Sequence, residues 1–249
     1  MDRIVFLGTA GARIAVFKQI RASGGIWLEL NDTRILIDPG PGSLIKCCAS
    51  RAKLDPLKID AIYLSHRHLD HCADMNVMVE AMTGGGFNKR GIVFLPADAL
   101  GEDSVLWKHA RSYIEKIVIL RENETYTLNK LKIHISRRLV HSVETYGVRF
   151  EGDKTVAYIP DTKFFPTLYE NFKGDILIIN VVRKERSEYD HLSLEEAKEV
   201  IKTIKPETAI LTHFGMTMIR AKPWILAEKL KEELGVDVIA ARDGMEFAL

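Results

Sequence analysis

Residues 64–74 read LSHRHLDHCAD and follow directly on the apolar run IDAIYL at 59–64. Three histidines, two aspartates, an arginine and a cysteine crowd into this stretch, all of them groups that bind metals, move protons or carry charge. An apolar run of that length reads as a buried strand, and loops at the ends of such strands carry function. This strand thus ends where polar chemistry is carried by the loop that follows it. His66, His68 and Asp70 alternate, and in an extended segment residues at i, i+2 and i+4 project to one side. His71 then turns away just before a helix, so the stretch offers ligands to two neighbouring metals. Neutral imidazole and carboxylate suit zinc, manganese or iron.

The rest of the chain supports a layered core. Strands are read at 3–8, at 25–30 and 34–38 (a hairpin around Asn31-Asp32-Thr33), and at 59–64 and 91–96. Further strands are read at 125–136 with a turn at Asn129-Lys130, at 146–151 and 155–160 around Gly152-Asp153-Lys154, and at 175–182 and 208–212. VDVIAA (236–241) and MEFAL (245–249) close the chain as strands. Helices are predicted over 43–52, 73–82, 102–118, 164–172, from the capping box at Ser193 and Glu196 to about 204, and over 223–234. No Pro/Ser-rich linker, short-period repeat or low-complexity tract divides the 249 residues, so one domain over 1–249 is expected. Two sheets packed face to face with helices outside is the layered solution that fits.

Composition narrows the function classes. A formal net charge of +1 gives no global basic field for nucleic acid. The three cysteines, Cys47, Cys48 and Cys72, are odd in number and form no CxxC, so neither a disulfide framework nor a redox motif is expected. No basic n-region followed by an apolar stretch marks a signal peptide, and no run approaches the roughly 20 apolar residues of a membrane span. A cytoplasmic protein with no membrane partner is the expectation.

Three more candidate ligands share one address. His141 follows RRLV, Asp161 ends AYIPD and His213 ends AILTH, each just past a predicted strand. With the first cluster they form a set that chance placement explains poorly. His109 and His134 are read as structural, and Cys72 as a small packing residue.

HRHLDH matches the His-x-His-x-Asp-His signature of the metallo-β-lactamase superfamily, and the chain resembles that family over most of its length. FLGTAGAR (6–13), LIDPGPG (36–42), His141, Asp161, LTHF (211–214) and the closing DGMEFAL (243–249) follow in the family's order. The resemblance implies an α/β fold, a four-layer αββα sandwich, with two divalent metal ions at one edge, zinc first and manganese or iron as alternatives. It implies that His66, His68 and His141 hold one ion, that Asp70, His71 and His213 hold the other, and that Asp161 bridges them. Asp38 matches a family aspartate that orients a ligand histidine. One departure is Asp74, where the family often has glycine; it is read as a helix N-terminal residue rather than a partner of the ligands.

Two metals about 3.5–4 Å apart activate a bridging water and clamp the oxygens of a displacement. The fold alone does not choose among phosphodiesters, thioesters, lactones and β-lactams. His191, in DHLSLEEA, looks like the extra histidine before a helix in the tRNA 3′-processing endonucleases and in cyclic phosphodiesterases of phosphonate breakdown. That makes it a candidate to bind phosphate or protonate the leaving oxygen, with Asp70 as the second catalytic candidate. The reading is thus a hydrolase of small nucleotide or cyclic phosphate esters. Lactone or thioester hydrolysis is the alternative. RNA as substrate, or a non-catalytic RNA-binding role, comes next, although the long tRNA-binding arm of the endonucleases is missing. The resemblance leaves a homodimer open.

Overall fold

A computed structural model describes residues 2–249. Two seven-stranded sheets carry the chain. The first contains β1 (Arg3–Phe6), β2 (Ile26–Leu30), β3 (Thr33–Ile37), β4 (Ala61–Tyr63), β5 (Ile92–Leu95) and β6 (Lys116–Ile119). The second contains β7 (Thr125–Leu128), β8 (Leu131–Arg138), β9 (Tyr146–Glu151), β10 (Thr155–Ile159), β11 (Ile176–Asn180), β12 (Thr208–Thr212) and β13 (Asp237–Ala240). The last strand, β14 (Met245–Ala248), returns to the first sheet and pairs antiparallel with β1. Each sheet is antiparallel through its hairpins and parallel beyond them, changing at β3 and at β10.

Local chemistry explains these elements. Asn31 and Asp32 both take left-handed conformations, φ 47° and 59°, which gives the two-residue turn whose twist matches the flanking strands. The parallel strands ILIIN (β11) and TAILT (β12) are buried throughout, as covered parallel strands must be. Three apolar layers result. Phe6, Leu28, Ile35, Tyr63, Phe150, Tyr158 and Ile178 meet between the sheets. Outside the first sheet, Trp27, Leu36, Ile62 and Val93 share a cluster with Cys47 of α2 (Ser43–Cys48) and with Met75, Met78, Val79 and Met82 of α4 (Met75–Met82). Outside the second, Leu177, Ile179, Ala209 and Leu211 pack with Ala197, Val200 and Ile201 of α5 (Leu194–Ile204), Met218 of α6 (Met216–Arg220), and Ala227 and Leu230 of α7 (Pro223–Leu234). The order helix, sheet, sheet, helix is the αββα sandwich that the sequence implied. Among the described residues no helix is long and apolar enough to cross a membrane.

Several expected boundaries move. The helix predicted over 102–118 does not form; a 3-10 turn at Ala110–Tyr113 leads into β6. Leu106, Ala110 and Ile114 are buried, so the apolar spacing was real. Ser104, however, bonds the backbone at Leu106 N and O and at Ala99 O, an alternative to the helical ladder that serine readily offers. The helix of 164–172 shrinks to a 3-10 turn at Leu168–Asn171, and that of 43–52 ends at Cys48. Three short helices went unread: α1 (Ala12–Phe17), α3 (Leu69–Cys72) and α6. Asp74 sits at the N-terminus of α4 as expected, but its carboxylate accepts from Leu44 N of α2 at 3.0 Å instead of capping its own helix.

Candidate metal centre

Asp38 lies just past β3, His66 past β4, His141 past β8, Asp161 past β10 and His213 past β12. Parallel sheets present ligands beyond the carboxyl ends of their strands, and here both sheets do so at one edge. His68 is still extended (φ −65°, ψ 147°), and α3 then folds Asp70 and His71 into one turn. Asp70 therefore does not continue the alternation of an extended segment. The helical turn carries it away from His66 and His68 to a second group.

Two groups of three face each other. One ligand atom each from His66, His68 and His141 lies within 4.8 Å of the others, and the same holds for Asp70, His71 and His213. Asp161 stands between. Its Oδ2 is 3.6 Å from His71 Nε2 and 3.4 Å from His213 Nε2, and its carboxylate also groups with His141 and His191. His68 Nδ1 is 3.1 Å from His141 Nε2, and His71 Nε2 is 3.2 Å from His213 Nε2. Metal–nitrogen bonds of about 2.0–2.1 Å in tetrahedral array place neighbouring ligand atoms roughly 3.3–3.4 Å apart, close to these separations.

Two further observations show that the donor set fits divalent ions. His66 is fully buried, and its Nε2 has no hydrogen-bond partner in the protein, an arrangement that is costly unless something else satisfies the atom. Asp38, Asp70 and Asp161 are carboxylates with little or no solvent, and among the described residues their ion-pair partners are histidines. Buried carboxylates demand compensating positive charge. Burial opposes protonation of His71 and His213, yet Asp38 and Asp70 raise the first, and Asp161 raises the second to about 9. Burial would likewise push Asp70 and Asp161 up, but the facing histidines hold both carboxyls low. A divalent cation answers the same demand. In the other group burial dominates, holding His66 well down and His68 at about 4. Those imidazoles are neutral, the form that binds metal.

A surrounding layer fixes the candidate ligands. Asp38 Oδ2 accepts from His71 Nδ1 at 2.9 Å, Ser65 Oγ at 2.6 Å and Tyr158 OH at 2.8 Å, while Oδ1 accepts from Ser65 N at 2.6 Å. The Nδ1 proton of His71 is thus committed and its Nε2 faces the site. Ser65 Oγ also reaches His66 Nδ1 at 3.0 Å. Asn180 Nδ2 donates to Asp161 Oδ1 at 2.9 Å, and His141 Nδ1 donates to the Asp190 carbonyl at 3.0 Å. Asp38 and His213 hold left-handed backbone, φ 50° and 59°, at a cost on the order of 1–3 kcal/mol each. A Cβ on Gly11 would overlap the His213 main chain and ring, so glycine there lets the N-terminal loop close on that turn.

Every candidate named from the sequence reaches this edge. His191 does so too: its Nε2 is 3.3 Å from Asp161 Oδ2, its side chain is 21% exposed, and its Nδ1 is buried without a partner. His109 and His134 lie elsewhere; His134 bonds Thr125 and Glu151 on the second sheet. Sequence reasoning missed Ser65, Tyr158, Asn180 and the Asp190 carbonyl. Asn180 left a trace, as the one polar residue ending the apolar run ILIIN.

The Lactamase_B_2 family model, described as a Beta-lactamase superfamily domain, matches residues 33–214. The chain belongs to that superfamily. An uncharacterized protein of Methanocaldococcus jannaschii is 34% identical over 260 residues, covering 99% of this chain and 94% of that protein. The crystal structure of the metallo-β-lactamase fold protein YhfI from Bacillus subtilis superposes with a TM-score of 0.80 at 22% identity, covering 99% and 98% of the two chains. A structure described as a new diphosphatase from the PhnP family gives 0.72 at 20% identity, covering 99% and 97%. Fold and residue clusters together define a member of that superfamily with His/Asp groups able to hold metal at one edge of the sandwich.

Proposed function

We propose that this chain is a metal-dependent phosphodiesterase acting on nucleotide or cyclic phosphate esters. His66, His68 and His141 would hold one divalent ion and Asp70, His71 and His213 a second, with Asp161 available to both, zinc being the first choice and manganese or iron suited to the same donors. Bound there, the ions supply Lewis acidity and a nucleophilic water near neutral pH. The protein's own part is orientation and proton transfer. Asp38 and the Asp190 carbonyl hold the Nδ1 protons of His71 and His141, so that each presents Nε2. Asn180 holds one oxygen of Asp161 and leaves the other facing the site. The proton of the attacking water passes to Asp70, the water oxygen bonds to phosphorus, the ester P–O bond breaks, and the departing alkoxide takes a proton from His191 Nε2.

His191 carries this reading. It reaches the ligand cluster from the solvent side and is exposed enough to meet a substrate. A departing alkoxide needs a proton, whereas a thiolate leaves without one, so a histidine so placed favours phosphodiesters over thioesters. The PhnP-family diphosphatase among the structural neighbours supports phosphoryl chemistry. Between His141 and Asp161 the chain forms only the β9–β10 hairpin, which favours small esters over a folded RNA.

Hydrolysis of bis(p-nitrophenyl) phosphate by chelator-stripped protein, reloaded separately with zinc and with manganese, is the test. Metal-dependent turnover is expected. His191→Ala should keep its metal content and lose about 10²–10⁴-fold in rate on esters with alkyl leaving groups. Two bound metals with no phosphodiester turnover would instead direct attention to lactones and thioesters.

A further inference from the structure

Several large apolar side chains near the metal edge are exposed, where solvent would favour polar residues. Helix α1 buries its small Ala15 completely, while Ile14 and Phe17 are 51% and 68% exposed. This inverts the usual amphipathic order, in which large apolar residues face the core. The helix starts at Gly11, whose N–H donates to Phe214 O, next to His213, and it packs against α3, the turn that carries Asp70 and His71. Leu69, between His68 and Asp70, is 74% exposed. Two residues before His191, Tyr189 accepts from His191 N at 2.8 Å through its carbonyl, and its ring is half exposed with the Arg183 guanidinium 4.3 Å from its centre. Four large apolar or aromatic side chains thus stand in water on the segments that hold the cluster or pack against it. Apolar side chains left exposed beside a polar site mark a place where a ligand is recognised.

We propose that Ile14, Phe17 and Leu69, together with Tyr189, hold the non-reacting arm of a phosphodiester, so that the preferred substrates carry a planar aromatic group such as a nucleobase. The inference rests on the phosphodiesterase reading of the same site. A flat ring matches side chains that offer faces and edges without deep walls, and Tyr189 adds a ring whose stacking partner Arg183 holds it in place. The reacting phosphate needs no contact from these residues, so their effect falls on binding of the arm and on selectivity.

The test compares two esters that release the same p-nitrophenolate from metal-reloaded protein, thymidine 5′-(p-nitrophenyl phosphate) and methyl p-nitrophenyl phosphate. The thymidine ester should have the higher kcat/KM, by about tenfold or more, as apolar contacts of this size give. Phe17→Ser should bring that ratio towards one, mainly through KM, and Phe17→Tyr should restore it. Calorimetric titration with thymidine 5′-phosphate and with methyl phosphate should show the same order without turnover. Equal kcat/KM for the two esters, or a ratio that Phe17→Ser leaves alone, would overturn the inference while the phosphodiesterase reading stands. No turnover of either ester would overturn both. If Phe17→Ser turns a dimer into a monomer on a sizing column with selectivity intact, the face belongs to a second copy of the chain and the inference fails.

Discussion

Asp38 shows how much one buried carboxylate organises. Three side-chain donors converge on its Oδ2 and one backbone N–H on its Oδ1. Asp38→Ala removes the group that sets the proton of His71 and should weaken metal binding about 10–100-fold. Competition with a chromogenic chelator measures this, and circular dichroism checks that the fold survives. The cysteines allow a second prediction. Burial pushes the Cys47 thiol up to about 12, Cys72 is buried and donates to the Arg67 carbonyl, and Cys48 is exposed. Reactivity follows the exposed thiolate, so a thiol reagent at pH 8 should modify one cysteine in the folded protein and three in denaturant. The candidate ligands stood out in the sequence because most of them are polar groups at or just past the end of a strand-like run. Ser65 and Tyr158 did not, since neither a serine beside a histidine nor a tyrosine in a strand is unusual until folding brings Asp38 to it.

The clearest elements were those with two independent signals. Helix α5 has both its apolar spacing and a reciprocal cap, with Ser193 Oγ accepting from Glu196 N and Glu196 Oε2 accepting from Ser193 N. Ser193→Ala should cost about 1 kcal/mol, read as a lower urea midpoint with an unchanged slope. The 102–118 segment had apolar spacing alone, and Ser104 diverted its backbone. The two closing strands look alike in sequence but enter different sheets. Asp243, between them, sets that divergence by accepting from Thr9 and from Ala22 N in the N-terminal loop. Such a contact, 234 positions apart in the chain, leaves no local trace.

At the scale of the whole molecule, the first and last strands are joined by charge as well as by pairing. Arg3 of β1 reaches Glu29 of β2 and Glu246 of β14, each at 2.8 Å, and Arg34 of β3 lies 3.6 Å from Glu29. Burial alone would raise Glu29, but bonds from Arg3 and Trp27 and the nearby Arg34 hold its carboxyl below the ordinary range. A depressed carboxyl stabilises the fold above its unfolded-state pKa, and that contribution is lost as pH falls through the folded-state value. Glu29→Gln should therefore cost about 0.5–1 kcal/mol at neutral pH. The gap from the parent protein should close on acidification, as followed by thermal melts across pH. The layered fold itself was readable from strand spacing and apolar runs. The convergence of both sheets on one edge was readable only through the ordered motif.

Apart from Asp161, each proposed metal takes two ligands from the first sheet's loops and one from the second's. The contacts that close them join residues 73 and 142 positions apart. In a protein whose cysteines are all free, these sites are, among the described residues, candidates for removable cross-links between the two halves of the sandwich. With both in place, the sheets cannot part until an ion leaves. The lifetime of the loaded protein under heat or denaturant is then set by metal dissociation, and its decay in excess chelator should keep pace with metal loss.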